Sequence, residues 1–282
     1  MRLKRIIVGL LLTSSVACGQ QLGTSWHILP NPRTDLYPRY VADPRRSRNI
    51  VTMLQAFDSG VPLTGNRRWG LSIGGQYSLL RIYRGEKPES GWQFDVEARF
   101  YAQYDIENSL DELGHDGRIG GIVSKKLGDR VAARLAFIHT SNHIGDEYLL
   151  RNHSTLRPTS RKEEIATGLS WQVSPRWRTY GEIGYGLNLG QLNRPWRVQT
   201  GLEYESVPFG RRARWYAATD ATNWQENDWR PSVNLQTGIV FPFPERGRTY
   251  RFGVEVYRGR AQVDSFENHR EAYIVVGTWL DL

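Results

Sequence analysis

The chain has 282 residues, 39% hydrophobic and 23% charged, with ten tryptophans, fourteen tyrosines and a formal net charge of +8. A single cysteine excludes an internal disulfide framework and paired-cysteine metal chemistry. Basic residues are scattered about one per strand or turn, with no tract interleaved with aromatics, which excludes nucleic acid as a partner.

Arg2, Lys4 and Arg5 precede an apolar run from Ile6 to Leu12 that fades through Thr13, Ser14 and Ser15. Ser15-Val16-Ala17 supplies the small residues of a cleavage site, so residues 1–17 read as a signal peptide, too short to span a bilayer. Cys18 follows at once, either as a lipidated residue or as an incidental one. Ser15 stands where lipoprotein signals prefer Leu. Residues 18–46, rich in Pro and Arg, read as an irregular periplasmic or lumenal segment, and 47–282 as the folded body.

No later stretch is apolar for about twenty residues, which excludes transmembrane helices. The period that does appear is two. Trp92, Phe94, Val96, Ala98 and Phe100 alternate with Gln93, Asp95, Glu97, Arg99 and Tyr101. From Trp196 and from Tyr250 the same alternation returns, as strands with one apolar and one polar face require. The apolar faces begin or end in aromatics (Trp92, Trp177, Trp196, Tyr204), and the polar faces mix both signs of charge. Aromatic girdles around a lumen of ion pairs produce this pattern, and a soluble sandwich does not. The predicted fold is all-β, a transmembrane antiparallel β-barrel of about twelve strands in a Gram-negative outer membrane, inserted by the barrel assembly machinery.

The strands are expected near 48–57, 71–83, 92–104, 117–126, 130–141, 163–173, 177–187, 196–206, 212–222, 231–241, 249–258 and 271–282. Short turns at 84–91, 127–129, 174–176, 207–211 and 242–248 read as periplasmic. Mostly longer connections at 58–70, 105–116, 142–162, 188–195, 223–230 and 259–270 read as outer loops. His115 and His269 fall in outer loops and read as solvated.

One segment concentrates polar chemistry: Phe137-Ile138-His139-Thr140-Ser141-Asn142-His143-Ile144-Gly145-Asp146-Glu147-Tyr148. Residues two apart in a strand share a face, so His139 and Ser141 can meet, and an imidazole beside a hydroxyl is the minimum for a serine nucleophile. Val131, Ala133, Leu135 and Phe137 share their parity, which carries the pair onto the lipid face near the outer rim. A polar pair is expensive there unless it serves something in the outer leaflet. Asn152, Glu147 and Asp146 are the candidates to orient the imidazole. A structural reading stands beside this one, with His139, His143, Asp146 and Glu147 pinning the long loop. Asp146, Glu147 and loop carbonyls would also suit calcium; no other cofactor is expected.

His-x-Ser-Asn at the outer end of a strand resembles the motif of outer membrane phospholipase A, a twelve-stranded barrel with a Ser-His-Asn site on its outer surface. Under that resemblance Asn152 is the nearest counterpart of the asparagine, one residue short in offset, and His143 stands where a glycine normally follows the motif. Lipid A deacylase barrels also use a His-x-Ser pair, with an acidic third member. The longer string from His139 to Tyr148, the Gly247-to-Glu255 segment and the Tyr273-to-Leu282 end resemble an uncharacterised family of bacterial outer-membrane proteins, known only as a domain of unknown function. That resemblance covers most of the mature chain and implies no activity. Three functions therefore stand open: a surface barrel without catalysis, an outer-leaflet lipid hydrolase, and a narrow pore.

Overall fold

The computed structural model describes residues 20–22, 26–153, 161–187, 194–210, 212–243 and 247–281. Two short strands come first, β1 (Gln20–Leu22) and β2 (Trp26–Pro30). Twelve long strands follow: β3 (Asn49–Ser59), β4 (Arg67–Arg84), β5 (Trp92–Asp105), β6 (Asp111–Lys126), β7 (Val131–Ile144) and β8 (Arg161–Gln172); then β9 (Trp177–Gly186), β10 (Trp196–Glu205), β11 (Arg214–Trp224), β12 (Pro231–Phe243), β13 (Arg248–Arg260) and β14 (Arg270–Asp281). Each of the twelve pairs antiparallel with its chain neighbours, and β14 returns to β3, with Leu280 opposite Asn49. The result is a closed twelve-stranded barrel with no free edge, the only sheet form that leaves no backbone group unpaired in lipid.

All twelve expected strands are present, several of them longer than expected. The β5–β6 ladder continues up to the Asp105–Asp111 pair, which shortens the expected 105–116 loop to residues 106–110. His115 is therefore a strand residue and not a solvated loop residue. Its ring packs between Phe100 and His143, with centroids 5.1 and 5.2 Å away. The chain also continues in β7 to Ile144 before a short helix, α1 (Asp146–Arg151), caps the hairpin. The signal-peptide residues and Cys18, most of the 188–195 loop and Leu282 lie outside the described residues.

Burial runs opposite to that of a soluble protein. Ile73, Phe57 and Val51 are 75, 70 and 62% exposed, while Arg48 and Gln93 are fully buried and Arg68 is 1% exposed. Apolar residues face outward along every strand because alternate side chains project to opposite faces, and here the solvent outside is hydrocarbon. Aromatic rings mark both interfaces. Trp177, Tyr204 and Trp215 form a chain of contacts at the short-turn end, 4.8 and 5.5 Å between centroids, and Tyr185 meets Trp196 at 4.9 Å at the opposite end.

Ion pairs cross the lumen. Glu182 lies between Arg134 and Arg197, and Arg197 also holds Glu164 at 2.6 Å; Arg118 pairs with Glu97 at 3.0 Å and Arg68 with Glu271 at 2.7 Å. Charges removed from water on this scale persist only when paired, and breaking one such pair costs about 3–5 kcal/mol. Trp26–Pro30 pairs with the inner end of β4 as an added strand, where the sequence reads as irregular. Beyond it, residues 31–48 rise into the barrel. Tyr40 stacks flat on Tyr180, with centroids 3.7 Å apart, and Gly201 makes this possible, since a Cβ there would lie 2.2 Å from the Tyr180 ring. The Val41 amide donates to Glu203 at 2.8 Å, Asn234 donates to the Ala42 carbonyl at 2.7 Å, and Arg46 pairs with Asp281 at 2.6 Å. The hydroxyls of Tyr37 and Tyr40 share a hydrogen bond at 2.6 Å.

Candidate active site on the outer wall

Leu135 and Phe137 are half exposed while Ala136 and Ile138 are buried, so the odd-numbered residues of β7 face lipid. His139, Ser141 and His143 carry that parity to the outer end of the strand. Thr140 and Asn142 point to the lumen, where Asn142 accepts a hydrogen bond from Ser265 at 3.3 Å.

The neighbouring strands complete the patch. On β8, Glu163 stands opposite His139 and Arg161 opposite Ser141; on β6, Ile119, Gly117 and His115 stand opposite His139, Ser141 and His143. His139 Nδ1 lies 3.5 Å from Glu163 Oε1, with both side chains about one-third exposed. A small rotation closes that gap to a hydrogen bond, and such bonds tighten on substrate binding. With Nδ1 turned to a carboxylate, Nε2 is the ring nitrogen left to accept a proton. Gly117 keeps the hydroxyl accessible, because a Cβ at that position would lie 3.1 Å from Ser141 Oγ.

The three residues expected to orient the imidazole have other surroundings. Asp146 and Glu147 form the exposed first turn of α1, and Asn152 donates from its side chain to the Tyr148 carbonyl at 2.8 Å, closing its own helix. That helix leans over β6 and the β3–β4 loop: the Gly145 amide donates to the Leu113 carbonyl at 2.9 Å, Tyr148 Oη to the Pro62 carbonyl at 2.9 Å, and Arg151 pairs with Asp111 at 2.7 Å. The carboxylate that meets His139 is Glu163, which sequence reasoning missed. Its signal was the parity of β8, since Arg161 and Glu163 share the face of Ile165, Leu169 and Trp171 and are the polar residues at its outer end.

On the lumenal side of the same wall, the ion-pair network leaves a cavity of about 110 Å³ beneath the 261–269 loop. Arg45 from the lumenal segment pairs there with Asp264 and donates to the Ala261 carbonyl at 2.9 Å. Among the described residues, no group of three or more His, Cys, Asp or Glu side chains is arranged to hold a metal ion.

The barrel is similar to solved outer-membrane proteins. The outer membrane phospholipase A of Escherichia coli is 12% identical, with a TM-score of 0.58 over 89% of this chain and 96% of that one. An active-site mutant of the same enzyme at pH 6.1 is 13% identical, with a TM-score of 0.57 over 87% and 95%. The outer membrane phospholipase of Salmonella typhi, a dimer with bound calcium, is 12% identical, with a TM-score of 0.56 over 87% and 95%. At these identities the likeness is one of fold. No curated protein matches the chain. The family described as "Protein of unknown function (DUF1207)" matches residues 13–281, nearly the whole length, and the chain belongs to that family.

Proposed function

We propose that this protein is an outer-membrane lipid esterase, exported by a cleaved signal peptide at residues 1–17 and acting on the outer leaflet through Ser141, His139 and Glu163. The observation that carries the reading is the His139–Glu163 contact beside Ser141, on the face of the barrel that meets lipid. A carboxylate, an imidazole and a hydroxyl in that order form the relay of a serine hydrolase. Pairs of this polarity on a lipid-facing wall are costly, and a substrate in the membrane accounts for their position.

In this mechanism Ser141 Oγ attacks the ester carbonyl of an acylated lipid while His139 Nε2 takes its proton. Glu163 holds the ring in orientation and stabilises the imidazolium that forms. The tetrahedral intermediate collapses, the C–O bond to the lipid alcohol breaks, and His139 returns the proton to the departing oxygen. Water then attacks the acyl-serine, again with His139 as base, and releases the fatty acid. The competing reading is a surface barrel without catalysis, in which the same residues only order the rim. The ion pairs and the 31–48 segment that cross the lumen argue against a pore.

The test is fatty-acid release from phospholipid and from lipid A by refolded protein in detergent micelles, with and without calcium, comparing wild type with Ser141→Ala. Turnover by wild type and its loss in the variant support the esterase. No turnover of either lipid leaves the surface barrel as the function.

A further inference from the structure

Polarity changes in order along the outer wall. Descending β7 and β8 from Ser141, the lipid-facing residues are His139 and Glu163, then Phe137 and Ile165, then Leu135 and Thr167, with Leu169 below. Ascending, they are Arg161, directly across from Ser141, and then His143 at the rim. Successive residues on one face lie about 6.5–7 Å apart along a strand. The nucleophile thus sits one step above the apolar wall and beside a cation at headgroup depth. Arg161 is exposed, and no described residue pairs with its guanidinium. This sets it apart from lumenal Arg197 and Arg68, which are tied to carboxylates, and Arg48, which is tied to a carbonyl.

A glycerophospholipid has the same order of groups. Its acyl chain descends into the hydrocarbon, the ester carbonyl lies at the boundary, and the phosphate lies a few bonds above. Arginine is the side chain suited to a phosphate oxygen pair, and a long cationic side chain at a membrane interface extends toward the headgroups. From this match we infer that Arg161 binds the phosphate of the lipid substrate, fixing the molecule so that its ester carbonyl stands over Ser141 and its chain lies along Phe137 and Leu135. The inference rests on Ser141 as the nucleophile. Arg161 makes no bond in the reaction; its part is to anchor and orient.

The experiment compares wild type, Arg161→Gln and Arg161→Lys on two substrates with the same acyl esters in neutral detergent micelles. Phosphatidic acid carries the phosphate, and diacylglycerol does not. A parallel measurement records equilibrium binding of brominated phosphatidic acid and brominated diacylglycerol by tryptophan quenching, with inorganic phosphate as competitor. Arg161→Gln is expected to raise KM and Kd for phosphatidic acid roughly ten- to hundredfold, as for one charge-assisted hydrogen bond. Both constants for diacylglycerol stay unchanged, and Arg161→Lys restores part of the loss. An equal loss of kcat on both substrates would mean that Arg161 acts on the reacting centre or on folding, and would overturn the inference. Unchanged constants in the variant would overturn it too, as would inorganic phosphate competing as well as the lipid does. If wild type hydrolyses neither lipid yet binds phosphatidic acid through Arg161, the esterase falls and the phosphate anchor stands.

Discussion

Arg45 and Asp264 join two parts of the chain that enter the barrel from opposite ends, the first in the segment ahead of β3 and the second in the loop after β13. Burial alone would push the Asp264 carboxyl up, but the guanidinium of Arg45, with Arg260 and Lys162, overrides it and holds the group well below the usual carboxylate range. A depressed carboxylate stabilises the folded state above its unfolded value of about 3.9, and that contribution is lost as pH falls through the lower, folded value. The barrel should therefore lose thermal stability as the medium is taken below about pH 4. Asp264→Asn should be less stable than wild type at pH 7 and lose less on acidification. Heat-modifiable migration on a gel against pH measures both, and parallel acid profiles for the two proteins would contradict this account.

The catalytic reading makes a graded forecast. Ser141→Ala and His139→Gln should each lower lipid turnover on the order of 10⁴–10⁶-fold, the range for members of a serine triad. Glu163→Gln should cost less, on the order of 10⁴ at most, because it orients the base and does not carry the proton. Asn152→Ala should leave turnover unchanged and loosen α1. Each variant is checked for equal folding by gel migration before rates are compared. A loss with Asn152→Ala as large as with Glu163→Gln would reassign the third member.

The 31–48 segment and the ion pairs across the lumen forecast low conductance in planar bilayers. Arg45→Ala with Arg46→Ala removes the pairs to Asp264 and Asp281, and the double variant should show larger and noisier currents than wild type. Steady large channels in wild type would mean that residues 31–48 leave the barrel in a membrane.

Orientation is open to a labelling test. An epitope inserted after Asn108, in the turn between β5 and β6, should be reached by antibody on intact cells. One inserted after Gly128, between β6 and β7, should be reached only after the outer membrane is opened. The opposite pattern would turn the barrel over and place Ser141 at the inner leaflet.

The period-two strands were legible because hydrocarbon outside and ion pairs inside impose opposite demands on alternate residues, as Trp92 to Tyr101 show. His139 and Ser141 were legible for the same reason, since their parity follows from Leu135 and Phe137. Glu163 was not. Its partnership depends on the β7–β8 register, which a connection of more than a dozen residues leaves undetermined. The contacts across the lumen were hidden as well, because Tyr40, Arg45 and Arg46 find their partners on β9, the 261–269 loop and β14, far away in the chain.

The Arg46–Asp281 pair spans 235 positions, from ahead of the first barrel strand to the end of the last. Its two members meet only when β14 lies beside β3, so this one contact of the 31–48 segment forms no earlier than closure. Contacts this distant form late and slowly. A barrel paused with its last strand unpaired would hold an open, water-filled interior. Formation of the Arg46–Asp281 pair would then belong to the final step of maturation, and protection of the Arg46 segment from protease would date the moment at which the cylinder seals.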